Sequence, residues 1–439
     1  EDLENLLVGK KISYSKFGKK YEEGRITHDD VINLSGKIFN KYPKILKIVA
    51  DQYPFIFVDE YQDTQQETVD LLLKNLLPNS KSFIVGFFGD SMQKIYGEGV
   101  GEIKDKQLAV ITKHENFRCS KIVVDLLNKI RTDLTQIPSG QNLEGDLVFV
   151  HCNENIEGGN DNYAKTLKYL EEKRGWKINP QNTKVLMLTH KGIANKLDYS
   201  NLLEAYGKLT MGIERLYEQE ERFSSLLITK LERMVILYEK KKYAEFLELL
   251  GIEGFKVRKH SDKKNLKGLM DKLIEVRKTG NIEEVMKFVF DNKLLTKPER
   301  IVEFEEKINM KELDEDAAKK KVFYDLLMKV KYQEVINLNG FIQNYTPFST
   351  KHGVKGAEYD NVLVVIDDNA WNMFKFNNVF SGDHSNEDRY KRTLNLLYVC
   401  CSRAKDKLAV LSLSEMDSKA LSTAEGWFGK ANVLTISNI

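Results

Sequence analysis

The chain has few cysteines, almost no net charge and no long apolar run, and each shortage closes off a class of protein. No stretch of its 439 residues approaches the roughly 18 consecutive apolar residues that a membrane-spanning helix needs. Four cysteines, Cys119, Cys152, Cys400 and Cys401, two of them adjacent, fit neither a disulfide framework nor zinc-ligand spacing. All four are expected to be reduced, buried and inert. The formal net charge is only +2, so any binding of nucleic acid has to use local patches rather than a global field. Basic clusters stand at Lys240 to Lys242, Lys256 to Lys267 and Lys319 to Lys321, and each reads first as a solvated helix face. There is no internal repeat, no low-complexity tract, and no signal peptide or lipidation motif. The expectation is a cytoplasmic protein. The first residue is Glu1 rather than methionine, so the chain is expected to begin inside its gene product.

What is present is the composition of a globular protein, 42% hydrophobic and 30% charged, with room for two to four domains. Short apolar runs recur at Phe55 to Val58, Ser82 to Phe88, Leu147 to Cys152, Lys184 to Leu188, Val362 to Ile366, Lys407 to Leu411 and Val433 to Ile436. Several are continuous rather than alternating, which predicts strands buried on both faces, and helical patterns separate them, as in parallel α/β sheets. Helices are predicted over Glu67 to Leu77 and over Lys121 to Leu134, with Ser120 as N-cap. From about Asn195 to Asn339 the sequence turns rich in Leu, Glu and Lys with few strand signals, which predicts a helical insertion. PSGQNLEGD, Pro138 to Asp146, reads as a linker.

The chemistry gathers where apolar runs end. FIFVDEYQDTQ, Phe55 to Gln65, leads four apolar residues straight into Asp59 and Glu60. Open α/β sheets bind ligands at the carboxyl ends of their strands. There the first acid would hold magnesium, largely through water, and the second would orient a water attacking a γ-phosphate. The alternative is a helix whose first turn is acidic to suit its dipole, and the pair alone does not choose between them. GDSMQKIYG repeats the theme, with Asp90 ending a run and Gln93 able to position water or sense a phosphate. NFRCS sets Phe117, a ring for a base, beside Arg118, a fork for phosphate oxygens. STKHGVKGAEYDNVLVV offers Thr350, His352, Lys355, Gly356 and Glu358 ahead of a strand. LLYVCCSRAKDKLAVL carries Arg403 near the end of a helix that leads into another strand, where an arginine could stabilise charge in phosphoryl transfer.

In this order the five motifs resemble the motor motifs of UvrD, Rep and PcrA type superfamily 1 DNA helicases, along almost the whole chain. The resemblance implies two RecA-like parallel-sheet domains with a mostly helical insertion, and ATP hydrolysed between the two domains. Residues 1–39 would be a helical segment of the first accessory subdomain and 40–137 the remainder of the first RecA-like domain. Residues 141–194 with 340–439 would form the second, and 195–339 the second accessory subdomain. Asp59 would coordinate Mg2+, Glu60 activate water, Gln93 sense the γ-phosphate, and Arg118 and Arg403 contact it. Phe117 would stack on adenine, Gly356 and Glu358 would meet the nucleotide, and Tyr96, Thr350 and His352 would lie along single-stranded DNA. The implied cofactors are ATP and Mg2+, and the implied partner is single-stranded or partly duplex DNA.

Three departures qualify the resemblance. No GxGKT-type phosphate loop occurs. In the family it lies well upstream of the acidic motif, so its place is expected before Glu1. Glu98 stands where the family commonly has a base-stacking aromatic, which predicts a weaker grip on single strands. RTLN, Arg392 to Asn395, replaces the family's mixed acidic and basic run. The insertion from Ala370 to Tyr390 holds Trp371, Phe374 and Phe376, which serve either ordinary packing or a partner. The chain also resembles the UvrD-like subunits of Gabija-type anti-phage systems, which are paired with OLD-family nucleases. That implies a second reading, a DNA-end or nucleotide sensor regulating a nuclease. A scaffold with relic motor motifs is a third.

Overall fold

The structure, a computed structural model, describes residues 7–15, 20–79, 83–94, 99–152, 160–187, 190–343, 348–349, 357–369 and 373–439. It is mixed α/β, with parallel strand pairing throughout its named sheets. Two compact units divide the chain. One holds Glu1–Asn142, Met373–Ser402 and Lys419–Thr423, and the other holds Leu143–Asn372, Arg403–Ser418 and Ala424–Ile439.

The first unit opens with a short parallel pair, β1 (Ser13–Tyr14) and β2 (Arg25–Ile26). A capping box formed by Thr27 and Asp30 then starts the His28–Lys41 helix. Its central pair is β3 (Phe55–Val58) and β4 (Ile84–Phe87), in register from Phe55 against Ile84 to Val58 against Phe87. Side chains alternate across a strand, and here the alternation decides burial. Ile56, Val58 and Val85 pack on a core of Leu46, Ala50, Leu72, Leu76 and Phe83. Phe55, Phe57 and Ile84 on the other face are exposed. This corrects the expectation of a strand buried on both faces, because helices of the described residues cover only one side of the pair. The helix predicted over Glu67 to Leu77 exists as α-helix Gln66–Asp70, a π-helical stretch Leu71–Leu76 and a last turn Leu77–Asn79.

Two more short strands, β5 (Glu115–Asn116) and β6 (Ile137–Pro138), pair around the Lys121–Ile130 helix. That helix buries Val123, Val124, Leu126, Leu127 and Ile130, the stripe its 3.6-residue period predicts. Ser120 holds the N-cap position with extended backbone. The helix ends four residues before the predicted Leu134. At Arg131 the chain turns extended, φ −108° and ψ 147°, and the guanidinium takes up a network described below.

The second unit is built on a six-stranded parallel sheet. It comprises β7 (Asp146–Cys152), β8 (Thr183–Met187), β9 (Phe348–Ser349), β10 (Tyr359–Ile366), β11 (Ala404–Glu415) and β12 (Val433–Thr435), in the order β12-β7-β11-β10-β8-β9. Its central strands are continuous apolar runs with Val148, Phe149, Val150, Leu363, Val364, Val410 and Leu411 buried, which is what a parallel sheet covered on both faces requires. Between Met187 and Phe348 every named element is a helix. These helices are tied by a buried ion pair. Arg277 Nε and Nη2 donate to Glu232 Oε1 and Oε2 at 2.9 and 2.6 Å, and the Tyr332 hydroxyl donates to Oε1 at 3.0 Å.

The basic clusters are mostly solvated, and several of their lysines pair locally, Lys242 with Glu245 and Lys319 with Glu315. All four cysteines are buried and free of disulfides. Burial and its two cysteine neighbours push the Cys401 thiol well above its ordinary range. Phe374 and Phe376 are buried, so of the two readings offered for them ordinary packing is the one observed. Trp371 lies outside the described residues. No helix among the described residues is long and apolar enough to cross a membrane.

Candidate active site

Where β3 ends, the backbone changes hand. Glu60 adopts φ 50° and ψ 42°, the left-handed region, and caps the short 3-10 turn Tyr61–Asp63. A non-glycine residue there is uncommon and tends to persist only where its surroundings enforce it. The enforcement is visible. The Glu60 N–H donates to Asp59 Oδ1 at 2.9 Å, and Tyr61 N–H donates to the Phe88 carbonyl at 3.1 Å. Asp59 is exposed and Glu60 half-buried.

The next residue inward is Gln62, fully buried. Its Nε2 donates to Glu60 Oε2 at 2.5 Å, and its Oε1 accepts the Asp90 N–H at 3.2 Å. One amide therefore joins the two motif strands at their carboxyl ends. The backbone closes tightly around it. A Cβ at Gly89 would run into Gln62 Oε1, and a Cβ at Gly99 into the Gln62 carbonyl. Both positions need glycine for this close approach.

Asp90 caps the 3-10 turn Ser91–Gln93 by accepting the Met92 N–H at 3.0 Å, and Gln93 Nε2 lies 3.4 Å from Asp90 Oδ2. Asp90 is in turn gripped by Arg131. Arg131 Nη1 and Nη2 donate to Asp90 Oδ2 and Oδ1 at 2.9 and 3.1 Å, a bidentate fork. Nε and Nη2 also donate to Asp133 at 3.0 and 2.9 Å, and Nη1 to the Tyr398 hydroxyl at 2.7 Å. The carboxylates hold the Arg131 guanidinium charged, above its ordinary range, against the cost of its burial. The Arg131 guanidinium likewise keeps Asp133 below the usual carboxylate range. Burial and the nearby Asp90 charge push the Tyr398 phenol up to about 12.

The third motif joins the same network. Gln136 Nε2 donates to the Tyr398 hydroxyl at 2.7 Å, and Gln136 Oε1 accepts from Asn116 Nδ2 at 2.6 Å. Asn116 Oδ1 accepts the backbone N–H groups of Arg118 and Cys119 at 3.0 and 2.9 Å. This holds the turn that presents Phe117, which is 74% exposed and lies beside Gly140. An open aromatic face next to a half-buried Arg118 is suited to a base and its phosphates.

The first unit thus brings Asp59, Glu60, Gln93, Phe117 and Arg118 into one connected framework. Glu358 and Arg403 belong to the second unit. Glu358 is exposed just before β10. Arg403 follows the Glu387–Cys401 helix and directly precedes β11. It is 1% exposed, and its carbonyl accepts the Tyr359 N–H at 2.9 Å. Tyr96, Thr350, His352 and Gly356 lie outside the described residues. Sequence reasoning missed Gln62, Arg131, Gln136 and Tyr398. Gln62 stands among acidic and polar residues in DEYQDTQ, and nothing in the sequence marked its burial or singled out the other three.

Among the described residues no group of three or more His, Cys, Asp or Glu side chains gathers as a metal cage. An exposed carboxylate with one oxygen on a backbone amide fits a magnesium ion that keeps most of its water shell, and Asp59 is such a group.

Residues 12–104 match the UvrD/REP helicase N-terminal domain, the stretch that contains Asp59, Glu60, Asp90 and Gln93. With the motifs in the same order, the chain is similar to the UvrD/PcrA-type helicases and matches their N-terminal domain over those residues. Among its relatives is the Gabija protein GajB of Bacillus cereus (strain HuB5-5), 28% identical over 89% of this chain and 63% of the relative. A probable DNA helicase II homolog of Mycoplasma genitalium is 22% identical over 100% of this chain and 65% of the relative. The ATP-dependent DNA helicase PcrA of Bacillus subtilis is 30% identical over 27% of this chain and 17% of the relative. The chain spans less than two thirds of the length of these curated relatives.

Proposed function

We propose that the chain carries the motor of an ATP-driven DNA translocase or helicase, built on two RecA-like domains. The single observation that supports this most is the Gln62 bridge, which fixes the Glu60 carboxylate against the Asp90 to Gln93 turn at the carboxyl ends of two parallel strands. In this reading Glu60 orients and polarises the attacking water, held in place through Oε2 by the Gln62 amide. Gln93 reports the γ-phosphate without adding charge. Phe117 carries the adenine, Gly356 and Glu358 meet the nucleotide, and Arg118 and Arg403 neutralise charge on the transferring phosphoryl group. Asp59 would hold Mg2+, which when bound offsets phosphate charge. Tyr96, Thr350 and His352 are assigned to the DNA strand.

The test is ATP hydrolysis by the full-length protein with and without single-stranded DNA at two salt concentrations. Stimulation that fades with salt supports the motor, because phosphate contacts are lost by counterion competition. Absence of turnover counts against it.

A second reading is favoured by the similarity to a Gabija protein along most of the chain. The chain would then be a DNA-end or nucleotide sensor that regulates an OLD-family nuclease in anti-phage defence. A stable complex recovered with such a nuclease supports this reading, and a lone protein that unwinds long duplexes processively argues against it.

A further inference from the structure

Arg131 has five guanidinium N–H groups, and the structure supplies an acceptor for each. Two go to Asp90, two to Asp133 and one to Tyr398. The side chain is 3% exposed, and its guanidinium also lies 5.0 Å from the centre of the Tyr398 ring. Tyr398 is itself shared. Its hydroxyl accepts from Arg131 and Gln136 and stands 3.3 Å from Asp90 Oδ2. A second tie secures the same turn, from Asn395 Nδ2 to the Lys94 carbonyl at 3.1 Å. The Glu387–Cys401 helix therefore grips the Gln93 turn at both ends, at Asp90 and at Lys94.

Traced outward, the bonds run from Gln93 through Asp90 to Arg131 and Tyr398, then through Gln136 and Asn116 to the backbone amides of Arg118 and Cys119. The links at the two ends of this path lie within turns, while those from Asp90 to Arg131, Arg131 to Tyr398, Tyr398 to Gln136 and Gln136 to Asn116 join residues 20 or more positions apart. A movement of the Gln93 turn must shift a buried, fully satisfied guanidinium, and leaving such a group half-satisfied is costly. Displacing either end of the path therefore carries the cost of disturbing this network.

We propose that Arg131, acting with Tyr398, is a positioning residue that couples the Gln93 turn to the turn presenting Phe117 and Arg118. This rests on the motor reading above. Arg131 touches no nucleotide in this account. It sets the distance between the group that senses the phosphate and the groups that hold base and phosphates.

The experiment compares Tyr398→Phe, Arg131→Lys and the double variant with wild type in the full-length protein. Steady-state ATP hydrolysis, melting temperature and backbone amide hydrogen exchange are measured for each. Tyr398→Phe removes one hydroxyl and keeps the ring, and Arg131→Lys keeps the charge but cannot form both forks. The expected result is a roughly tenfold fall in kcat in each single variant with KM for ATP within about twofold. Exchange should quicken at residues 91–94 and 117–119 together. The double variant should be no slower than the slower single, as for groups that act as one unit. The inference is overturned if kcat is unchanged in both single variants, if the two losses multiply, or if exchange quickens in one segment alone. Wild-type protein without ATP turnover would instead overturn the motor reading, a result visible before any variant is made.

Discussion

Replacing Gln62 with leucine removes the amide that joins the two motif strands while keeping a side chain of similar size. Its bond to the Glu60 carboxylate is charge-assisted, and such bonds contribute about 1.5–3 kcal/mol, while its bond from the Asp90 N–H is an ordinary one of about 0.5–1.5 kcal/mol. Gln62 is fully buried, so a leucine in its place fills the same space and leaves neither the Glu60 carboxylate nor the Asp90 N–H its amide partner. If the first bond serves to aim Glu60, its full value appears in the barrier to hydrolysis, and each 1.4 kcal/mol is about tenfold. Gln62→Leu is therefore expected to lower kcat for ATP by about 10- to 150-fold with little change in KM. The assay is steady-state phosphate release by the full-length protein, paired with a fluorescent-nucleotide titration. A variant that turns over ATP within twofold of wild type would show that Glu60 needs no aiming by Gln62.

The remaining predictions concern separate parts of the molecule. Arg277→Met leaves the buried Glu232 carboxylate with Tyr332 alone, and breaking one side of such a pair costs about 3–5 kcal/mol. Urea denaturation should show that loss in the unit built on the six-stranded sheet, and a change under about 1 kcal/mol would contradict the pairing. Phe117→Ala removes an open aromatic face worth about 1–3 kcal/mol of stacking, so KM for ATP should rise roughly 5- to 150-fold with kcat preserved. An unchanged KM in steady-state kinetics would remove Phe117 from the base site. Arg403→Lys, chosen because alanine would leave a hole at a covered position, should lower kcat by roughly a thousandfold if the arginine stabilises transferring phosphate. An unchanged rate would remove it from that role.

The longer strands were legible because parallel sheets write themselves as short apolar runs, and every predicted run overlaps an observed strand, whereas the two-residue strands β1, β2, β5, β6 and β9 match no predicted run. Burial was less legible. Phe55 and Phe57 look like core residues in sequence, yet they are exposed, because burial on the second face of β3 depends on what lies over it and not on the strand itself. The Lys121 helix was predicted too long because propensity carries past Ile130, whereas Arg131 leaves the helix to satisfy two carboxylates. The motifs were visible as residues, but their wiring was not. Gln62 meets Asp90 across 28 residues, Arg131 meets Asp90 across 41, and Arg131 meets Tyr398 across 267. No local periodicity encodes such separations. What the sequence offered instead was the order of the pieces, and that order carried the resemblance.

The most direct test of the central claim is ATP turnover by the full-length protein against its Glu60→Gln variant, with nucleotide binding measured on both. DNA-stimulated hydrolysis is expected in the wild type, and in the variant nucleotide affinity within a few-fold and turnover reduced at least a hundredfold. Turnover that persists in Glu60→Gln would contradict the assignment of the water-activating residue, and with it the chemistry built on the end of β3.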